Sequence, residues 1–298
     1  MIMDSARGEG SEGLKKIYAN EGDAEDSSFY DSSNKITLDG NGVKMWSNGH
    51  VNTDGDKFVL WGWDAGTAAA TPSTDGNITI SNQWVNATAG FSISKYTMGA
   101  DGGTFGHALG AKPDFVMVKR LAAASWGCWH KNIPNTGYLM LNDDDGVSTW
   151  NLWGDTDPTN NIVTVSGDSY TGNNGDTYVA YCWTAIPNYS SFGTYAGSGS
   201  GVAWVHTGFK PKYLLVKCTN TSTNWKIYDS VRDPNGNTMT YELETDTHDA
   251  EVTTADGIDF NANGFMIRGN SGGALNGGGN TYIYAAFADY PQKIARAQ

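Results

Sequence analysis

The feature that most constrains this chain is an internal repeat of about 100 residues. Three segments return in the same order, 98 to 104 residues further along the chain. They are TYVAYCW (177–183) with TYIYAAF (281–287), KPDFVMVK (112–119) with KPKYLLVK (210–217), and WGCW (126–129) with WKIY (225–228). Matches that keep one order at nearly one offset predict tandem structural units, and loop lengths account for the differences in offset.

The N-terminal part of the chain matches the same pattern and forms a third copy. The matched pairs are IMDSAR (2–7) with IYDSVR (227–232), DAE (23–25) with DAE (249–251), NGVKM (41–45) with NGFMI (263–267), and KFVLWGW (57–63) with TYIYAAF (281–287). This copy has no counterpart of residues 193–225, a front section of 33 residues. The sequence therefore predicts that the chain opens inside a unit.

The matches define the boundaries of the predicted units. Residues 1–66 form a partial unit, here named repeat 1, and residues 67–89 form a linker of small and polar residues. Residues 90–192 form repeat 2 and residues 193–298 form repeat 3, and almost no linker separates the two repeats.

The repeating segments have the composition of β-strands. They are short runs of Val, Ile, Tyr, Phe and Trp, bounded by clusters of Gly, Asn, Asp and Pro. No segment keeps a helical apolar period over a normal helix length, and residues 14–19 allow a turn or two at most. We therefore predict an all-β protein of tandem antiparallel β-sandwich repeats, jelly-roll-like, with the first repeat incomplete.

The missing front section of repeat 1 leads to a prediction about assembly. Its counterpart in repeat 3 supplies two predicted strands, residues 202–206 and 213–217, which carry several large apolar residues. A sandwich without two strands leaves an open edge and uncovered apolar side chains. We expect residues 1–66 to be completed by a neighbouring subunit or by an upstream part of the polypeptide. Completion by another chain predicts an obligate homo-oligomer, with a trimer as the first expectation for a fibre.

Charge excludes two classes of partner. The chain has 32 acidic and 19 basic side chains, a formal net charge of −13, and no cluster of Lys and Arg. Such a surface repels phosphate backbones and anionic lipid headgroups, so neither nucleic acid nor a membrane surface is an expected partner. The absence of an apolar run of about 18 residues excludes a membrane-spanning helix. The three cysteines, Cys128, Cys182 and Cys218, are well separated and are predicted to be buried thiols.

Two segments have the spelling of catalytic motifs without the context that those motifs need. Residues 8–13 (GEGSEG) fit the dinucleotide-binding pattern, which requires a strand before the loop and a long helix after it. Residues 269–273 (GNSGG) fit the nucleophile elbow, which also requires a following helix. Both are interpreted as turns, so we predict no catalytic residue, no cofactor and no enzymatic activity.

Asp143, Asp144 and Asp145 form the only weak candidate for a metal site. Closely spaced carboxylates suit Ca²⁺, but the EF-hand spacing and its closing glutamate are missing, so a solvated acidic turn is the favoured interpretation. The five histidines show no metal-ligand spacing. His107 and His206 precede the two Lys-Pro turns and are predicted to hold those turns through ring hydrogen bonds.

The 11 tryptophans are the main candidates for ligand contacts. An exposed indole on a β-sheet surface can stack on a sugar ring. The candidates near predicted loops or strand ends are Trp46, Trp84, Trp150, Trp153 and Trp204. The other six, at repeat-matched positions, are predicted to pack in the core: Trp61, Trp63, Trp126, Trp129, Trp183 and Trp225.

Motifs around the linker resemble a known family. They are WDAG (63–66), TDGNI (74–78), ATAGFSI (87–93), GHALG (106–110) with KP (112–113), and GDTYVAYC (175–182). Together they resemble the glycine- and tryptophan-rich β-repeat family that cyanophages and other marine tailed phages encode. The resemblance covers essentially the whole chain and implies a virion structural or tail-fibre-like protein, located on the phage particle and assembled in the host cytoplasm. It implies no catalytic residues.

Two classes of function remain open at this point. The first is a non-enzymatic virion protein, in a tail fibre or another exposed appendage, with other virion proteins as partners and a host surface glycan as an expected ligand; capsid decoration is a variant of it. The second is a carbohydrate-binding β-sandwich module attached to a degradative function. An enzyme such as a depolymerase is the least favoured, because no pair of opposed acids is apparent.

Overall fold

The computed structural model describes residues 1–10, 13–26, 36–39, 42–45, 51–233, 237–269 and 273–288. The regular elements in these ranges are 23 β-strands. All of their pairings are antiparallel. The all-β prediction is therefore confirmed. In the same ranges, no helix has the length and apolar character needed to cross a membrane.

Repeat 2 and the segment before it form a seven-stranded sheet covered by a two-stranded one. The strands are β7 Ile80–Asn86, β8 Phe91–Thr97, β9 Gly103–Gly106, β10 Phe115–Arg120, β11 Trp126–His130, β12 Gly137–Met140, β13 Ser148–Thr149, β14 Ile162–Val165 and β15 Thr177–Trp183. The large sheet has the order β13-β12-β11-β10-β15-β8-β7, and β14 pairs with β9. Tyr96 of β8 stacks on Phe105 of β9 with ring centroids 5.0 Å apart, so the two sheets pack face to face.

Repeat 3 forms one eight-stranded sheet that folds over its own core. Its strands are β16 Ser190–Ala196, β17 Ala203–His206, β18 Tyr213–Cys218, β19 Lys226–Asp229, β20 Met239–Glu244, β21 Val252–Asn261, β22 Gly264–Ile267 and β23 Thr281–Phe287. Their order is β16-β23-β18-β19-β20-β21-β22-β17. Phe265 of β22 packs edge-on against Tyr284 of β23, 5.3 Å between ring centroids, which brings the two ends of the sheet together.

The two repeats share one strand order and one register. The order β8-β15-β10-β11-β12 in repeat 2 returns as β16-β23-β18-β19-β20 in repeat 3. Lys119 pairs with Val179, and the matched Lys217 pairs with Ile283. The sequence matches therefore correspond to equivalent places in the fold.

The segment predicted to be a linker contains a strand. β7 lies within residues 67–89 and closes the edge of the large sheet against β8. Gln83 of β7 is fully buried, and its side-chain amide donates to Ser94 Oγ and to the carbonyl of Gly106, each at 2.8 Å. Its Oε1 accepts from the backbone N–H of Ser73 at 2.8 Å. A polar side chain with every bond satisfied thus holds this segment in the sandwich, which composition alone did not indicate.

Repeat 1 is not a closed sandwich. Its described strands form three separate pairs, β1 Ile2–Met3 with β4 Lys16–Ile17, β2 Glu9–Gly10 with β3 Gly13–Leu14, and β5 Ile36–Asp39 with β6 Gly42–Met45. Residues 57–63 match β23 in sequence but form no strand. The physical reason is that both ladder partners of β23, β16 and β18, have no counterpart in repeat 1.

An Asp–Arg corner at the end of a strand is built twice with the same bonds. In repeat 1 the Asp4 carboxylate accepts from the backbone N–H of Arg7 at 2.8 Å and from its Nε at 2.5 Å. In repeat 3 Asp229 accepts from the N–H of Arg232 at 3.0 Å and from its Nε at 2.5 Å. Each guanidinium also donates to the strand carbonyl five residues earlier, at 3.0 Å in both cases. The corners show that repeat 1 keeps the local structure of repeat 3.

Predictions about thiols and one histidine are confirmed. All three cysteines are buried and unpaired, and burial raises the pKa of Cys128 and of Cys182. His107 is buried, with Nε2 3.2 Å from the carbonyl of Thr159 and Nδ1 accepting from the N–H of Leu109. His206 is exposed and its ring makes no comparable bond among the described residues.

The junction between repeats 1 and 2 recurs between repeats 2 and 3. Each junction contains three hydrogen bonds at matched positions. From repeat 1 to 2 they are Trp126 Nε1 to Tyr18 O (2.8 Å), Ala124 N to Gly22 O (2.7 Å) and Glu25 N to Leu121 O (2.8 Å). From repeat 2 to 3 they are Trp225 Nε1 to Met140 O (2.8 Å), Thr223 N to Asp144 O (2.8 Å) and Val147 N to Thr219 O (2.7 Å). We name residues 18–25, 140–147 and 244–251 the docking loops of the three repeats.

Repeat 3 also contacts repeat 1, so the contacts run in a cycle. Tyr181 of repeat 2 donates to Asp4 of repeat 1 at 2.6 Å. The matched Trp61 of repeat 1 donates from Nε1 to Asp229 of repeat 3 at 3.3 Å. Trp63 packs against both of its equivalents, Trp183 at 6.3 Å and Phe287 at 5.5 Å between ring centroids. The three repeats therefore contact one another in a cycle inside one chain.

The Tyr181–Asp4 bond gives a first prediction. Tyr181→Phe removes a buried hydrogen bond to a carboxylate, so we expect the free energy of unfolding to fall by about 2 kcal/mol. Tyr284→Phe is the matched control, because its hydroxyl lies 3.3 Å from the neutral Ser191 Oγ, and it should cost less than about 1 kcal/mol. Chemical denaturation of both variants measures the difference; equal losses would contradict the role of the bond.

His130, at the junction of repeats 2 and 3, gives a prediction about pH. Its Nε2 lies 3.2 Å from the carbonyl of Tyr284 and its Nδ1 accepts from the N–H of Asn132. Burial lowers the pKa of His130 from 6.5 to about 4. The unfolded chain then binds the extra proton between these values, so stability falls as pH drops from about 6.5 to about 4, by up to about 3 kcal/mol.

The quantity to measure is how steeply the free energy of unfolding changes with pH, and not its value at a single pH. His130→Gln should flatten the acid loss, whereas His206→Gln, at an exposed position of repeat 3, should leave the slope unchanged. A slope that is the same in His130→Gln and in the parent chain would refute the assignment.

Candidate functional site

The five candidate tryptophans differ widely in exposure. Trp150 and Trp204 are exposed over 63% and 65% of their surface. Trp84 is half-buried against the core of repeat 2. Trp153 is buried, at 1% exposure, so the expectation of an exposed indole is wrong there. Trp46 lies outside the described residues.

The physical reason for the burial of Trp153 lies in the turn that carries it. The carbonyl of Leu152 accepts from the N–H of Ser166 and from Thr171 Oγ1, which ties this segment to the loop before β15. Gly127 of β11 allows close packing of Leu152 and Thr171, since a Cβ there would lie 3.2 Å from each of their side chains, and the Trp153 ring would lie at an ordinary contact distance of 3.8 Å. Trp153 therefore fills the core beside β11.

The tryptophans predicted to be core residues are largely so. Trp126, Trp129, Trp183 and Trp225 are buried. Trp61 and Trp63 are half-buried and pack against the same core cluster, although they do not lie on a strand.

Trp150 is exposed and held in a fixed orientation. It follows β13 directly, at the edge of the seven-stranded sheet. Its indole Nε1 donates to Asp168 Oδ2 at 3.0 Å. The other oxygen of Asp168 accepts from the backbone N–H of Tyr170 at 2.8 Å, which anchors the carboxylate to the turn before β15. An exposed ring tied to an anchored partner is preorganised for contact with a ligand.

Two half-buried tyrosines, Tyr138 and Tyr170, lie in the same part of the molecule as Trp150. Tyr138 lies on β12 and pairs with Ser148 of β13. Burial raises the pKa of Tyr138, a hydrogen bond with Ser148 opposes this rise, and the nearby Tyr170, Asp168 and Asp143 add to it. We name Tyr138, Trp150, Asp168 and Tyr170 the aromatic surface.

The aromatic surface has the chemistry that sugar binding uses. An indole face offers apolar area and a negative ring potential to the C–H groups of a sugar, and carboxylates accept bonds from its hydroxyls. Sequence reasoning singled out Trp150 but missed Asp168, Tyr138 and Tyr170. These lie 12 to 20 residues from Trp150 in the sequence, and no repeat match or motif connects them.

The three aspartates of the metal candidate do lie together. Asp143, Asp144 and Asp145 are exposed, with one carboxylate oxygen from each within 4.8 Å of the others. Asp145 Oδ1 accepts from Ser222 Oγ at 3.0 Å, across the junction to repeat 3.

The backbone beside these aspartates forms hydrogen bonds that join repeats 2 and 3. The carbonyl of Asp144 accepts from Thr223 N and from the buried Lys217 Nζ, each at 2.8 Å. Burial lowers the pKa of Lys217, and the aspartates nearby oppose that shift. The acidic run thus belongs to the docking loop of repeat 2, which fits the interpretation as a solvated acidic turn.

A surface depression of about 580 Å³ lies elsewhere on repeat 2. It is lined by Asp75, Gly76, Lys112 and residues 159–162. Glycoside hydrolysis needs two carboxyl groups on opposite sides of the scissile bond. Asp75 is the one carboxylate in this lining, so the depression does not present that arrangement.

The fold and the aromatic surface define an all-β repeat protein with exposed, oriented aromatic side chains. Residues 1–291 match a family model described as a domain of unknown function (DUF7483), and the chain belongs to that family. No curated protein and no solved structure matches the chain significantly.

Proposed function

We propose that this chain is a non-enzymatic structural protein of a phage particle, located on the virion surface in a tail fibre or another exposed appendage. The sequence motifs that resemble phage β-repeat proteins support this proposal, as do the tandem repeats and the acidic surface with a formal net charge of −13. Other virion proteins are its proposed partners. Capsid decoration is the variant of this function that uses the same properties.

The observation that carries the proposal is the cyclic arrangement of the three repeats. Matched hydrogen bonds join repeats 1 and 2 and repeats 2 and 3, and Trp61 joins repeat 1 to repeat 3. When each repeat contacts both of the others, the protein resists local opening better than a row of modules joined by flexible linkers. Such rigidity suits a component that spaces or displays a binding surface on a particle.

Immunogold labelling of purified particles tests the location. Antibody raised against this chain should label one defined region, the tail or the capsid surface, in negative-stain images. Label at the tail supports an appendage and label over the capsid supports decoration. Intact particles without label, from a lysate that contains the protein, would overturn the proposal.

A second function, binding of a surface glycan, is favoured by the aromatic surface. Trp150 is exposed and its ring is oriented by Asp168. On a virion this surface would contact host polysaccharide, and on a free module it would direct a degradative partner to its substrate.

A glycan array with the intact chain tests this second function. Stacking on an exposed ring contributes about 1 to 3 kcal/mol by analogy with base–aromatic stacking, so Trp150→Ala should weaken binding by about tenfold or more. Trp204→Ala is the matched control, because Trp204 is equally exposed but lies on β17 of repeat 3. Asp168→Asn should weaken binding less than Trp150→Ala. Equal effects of the two alanine variants would remove the aromatic surface as the site.

A further inference from the structure

The aromatic surface combines an exposed indole with a carboxylate at the indole nitrogen. Trp150 is exposed over 63% of its surface, and its Nε1 donates to Asp168 Oδ2 at 3.0 Å. This bond places the carboxylate at the edge of a ring whose face already carries a negative potential. A cation above the ring is therefore attracted both by the indole and by the carboxylate beside it.

Asp168 is held in position by the turn that carries it. Its Oδ1 accepts from the backbone N–H of Tyr170 at 2.8 Å. Its carbonyl accepts from the N–H groups of Thr171 and Gly172 at 3.1 and 2.8 Å. The carboxylate cannot turn away from Trp150 without loss of the bond to Tyr170, so the two side chains form a preorganised pair.

Other carboxylates add negative potential in the same part of the molecule. Burial raises the pKa of Tyr138, the bond with Ser148 opposes this rise, and Asp168 and Asp143 both add to it. Asp143 belongs to the exposed run of residues 143–145, whose carboxylate oxygens lie within 4.8 Å of one another. Carboxylates from two loops therefore act on one tyrosine of the aromatic surface.

No cation in the described part of the chain forms an ion pair with these carboxylates. Arg120 pairs with Asp176 at 3.0 Å. The buried Lys217 Nζ donates to the carbonyls of Asp144 and Thr223. Neither cation neutralises Asp168, so a ligand can supply the missing positive charge.

We propose that the aromatic surface selects a sugar that carries a protonated amine, in particular a glucosamine unit, over the neutral form of the same sugar. The ammonium group lies over the Trp150 ring, and the Asp168 carboxylate provides the opposite charge beside it. An acidic sugar would meet Asp168 and residues 143–145 as like charges, so it is disfavoured. This inference rests on the proposed binding of a surface glycan and adds the chemical class of the ligand.

Trp204 of repeat 3 provides a comparison within the same chain. It is exposed over 65% of its surface, but its indole N–H donates to no carboxylate among the described residues. Arg268 follows β22, the strand that pairs with β17, and its Nε donates to Asp259 at 2.6 Å. The charges near Trp204 are therefore balanced, and only its ring can attract a cation.

The test compares two probes that differ in charge, oligosaccharides of glucosamine and of N-acetylglucosamine with the same length and linkage. Calorimetry is performed with the intact chain at mildly acidic pH, where amines are protonated and carboxylates are ionised. We expect the glucosamine probe to bind about fivefold to tenfold more tightly, because the ring and the carboxylate each contribute a factor of a few. The preference should fall as salt is raised.

Variants assign the preference to the two side chains. Trp150→Ala should weaken binding of the glucosamine probe by about tenfold. Asp168→Asn should reduce the preference to about twofold and change binding of the neutral probe less. Asp249→Asn changes the net charge equally at an exposed position of repeat 3 and should leave the preference unchanged, as should Trp204→Ala.

Three results would contradict the inference in different ways. Equal binding of both probes that is lost in Trp150→Ala would overturn it and leave the proposed glycan binding standing. A preference that persists in Trp150→Ala would also overturn it, since the charge of the whole chain would then be the cause. If neither probe binds, the inference is wrong, and the glycan array decides independently whether another glycan binds.

Discussion

Trp63, Trp183 and Phe287 occupy the same position in the three repeats and meet where the repeats converge. Trp63 lies 6.3 Å from Trp183 and 5.5 Å from Phe287 between ring centroids. Each such aromatic pair contributes about 0.5 to 1.5 kcal/mol beyond the area that it buries. The contact also requires that β15, β23 and residues 57–63, which form no strand, all present their odd-numbered side chains to the centre. The orientation of all three repeats, and hence the placement of their docking loops, depends on this condition.

The same face of the last strand explains why a sandwich repeat needs neighbours. In repeat 2, Tyr178, Ala180 and Cys182 face the repeat's own second sheet, while Tyr181 and Trp183 face outward from it, toward Asp4 and Trp63 of repeat 1. An isolated repeat would expose the second set to water at about 1.5 to 3 kcal/mol for each large side chain. Packing of repeat against repeat removes that cost, so association is built into the strand pattern.

Much of the fold could be predicted from the sequence because repeats and strand alternation are local patterns. The matches placed Asp4 with Asp229 and Glu25 with Glu251, and the structure builds the same corner around each pair, with the Arg reaching its Glu at 3.5 Å and 2.9 Å. The all-β class could be predicted from short runs of strand-forming residues and from the Gly, Asn, Asp and Pro clusters that bound them.

Three features could not be predicted, because each depends on partners distant in the chain. β7 pairs with β8, and Gln83 anchors it through bonds to Ser73, Ser94 and Gly106. Residues 57–63 have strand composition, but a ladder requires a neighbour that repeat 1 does not supply. The aromatic surface unites Trp150 with Asp168, and the turn that buries Trp153 is held by bonds from Ser166 and Thr171 to the Leu152 carbonyl. The repeat boundaries and the proposed trimer stay predictions.

Tyr181, Trp61 and Ala285 occupy matched positions in the three repeats but make different contacts with the neighbouring repeat. These differences determine which repeat packs against which. Between repeats 2 and 1 the contact is Tyr181 to Asp4, and between repeats 1 and 3 it is Trp61 to Asp229. Between repeats 3 and 2 the matched position is Ala285, and His130 replaces the aspartate and contacts the carbonyl of Tyr284 instead.

An exchange of neighbours would bury an unpaired carboxylate against Ala285, or crowd an indole or a phenol against His130. Burial of an unpaired polar or charged group costs several kcal/mol, whereas the apolar contacts alone would tolerate the exchange. The three repeats have nearly the same shape, yet they pack in one arrangement of neighbours and not in the alternatives. The aromatic centre supplies the stability of the arrangement, and the three unequal polar contacts around it supply its uniqueness.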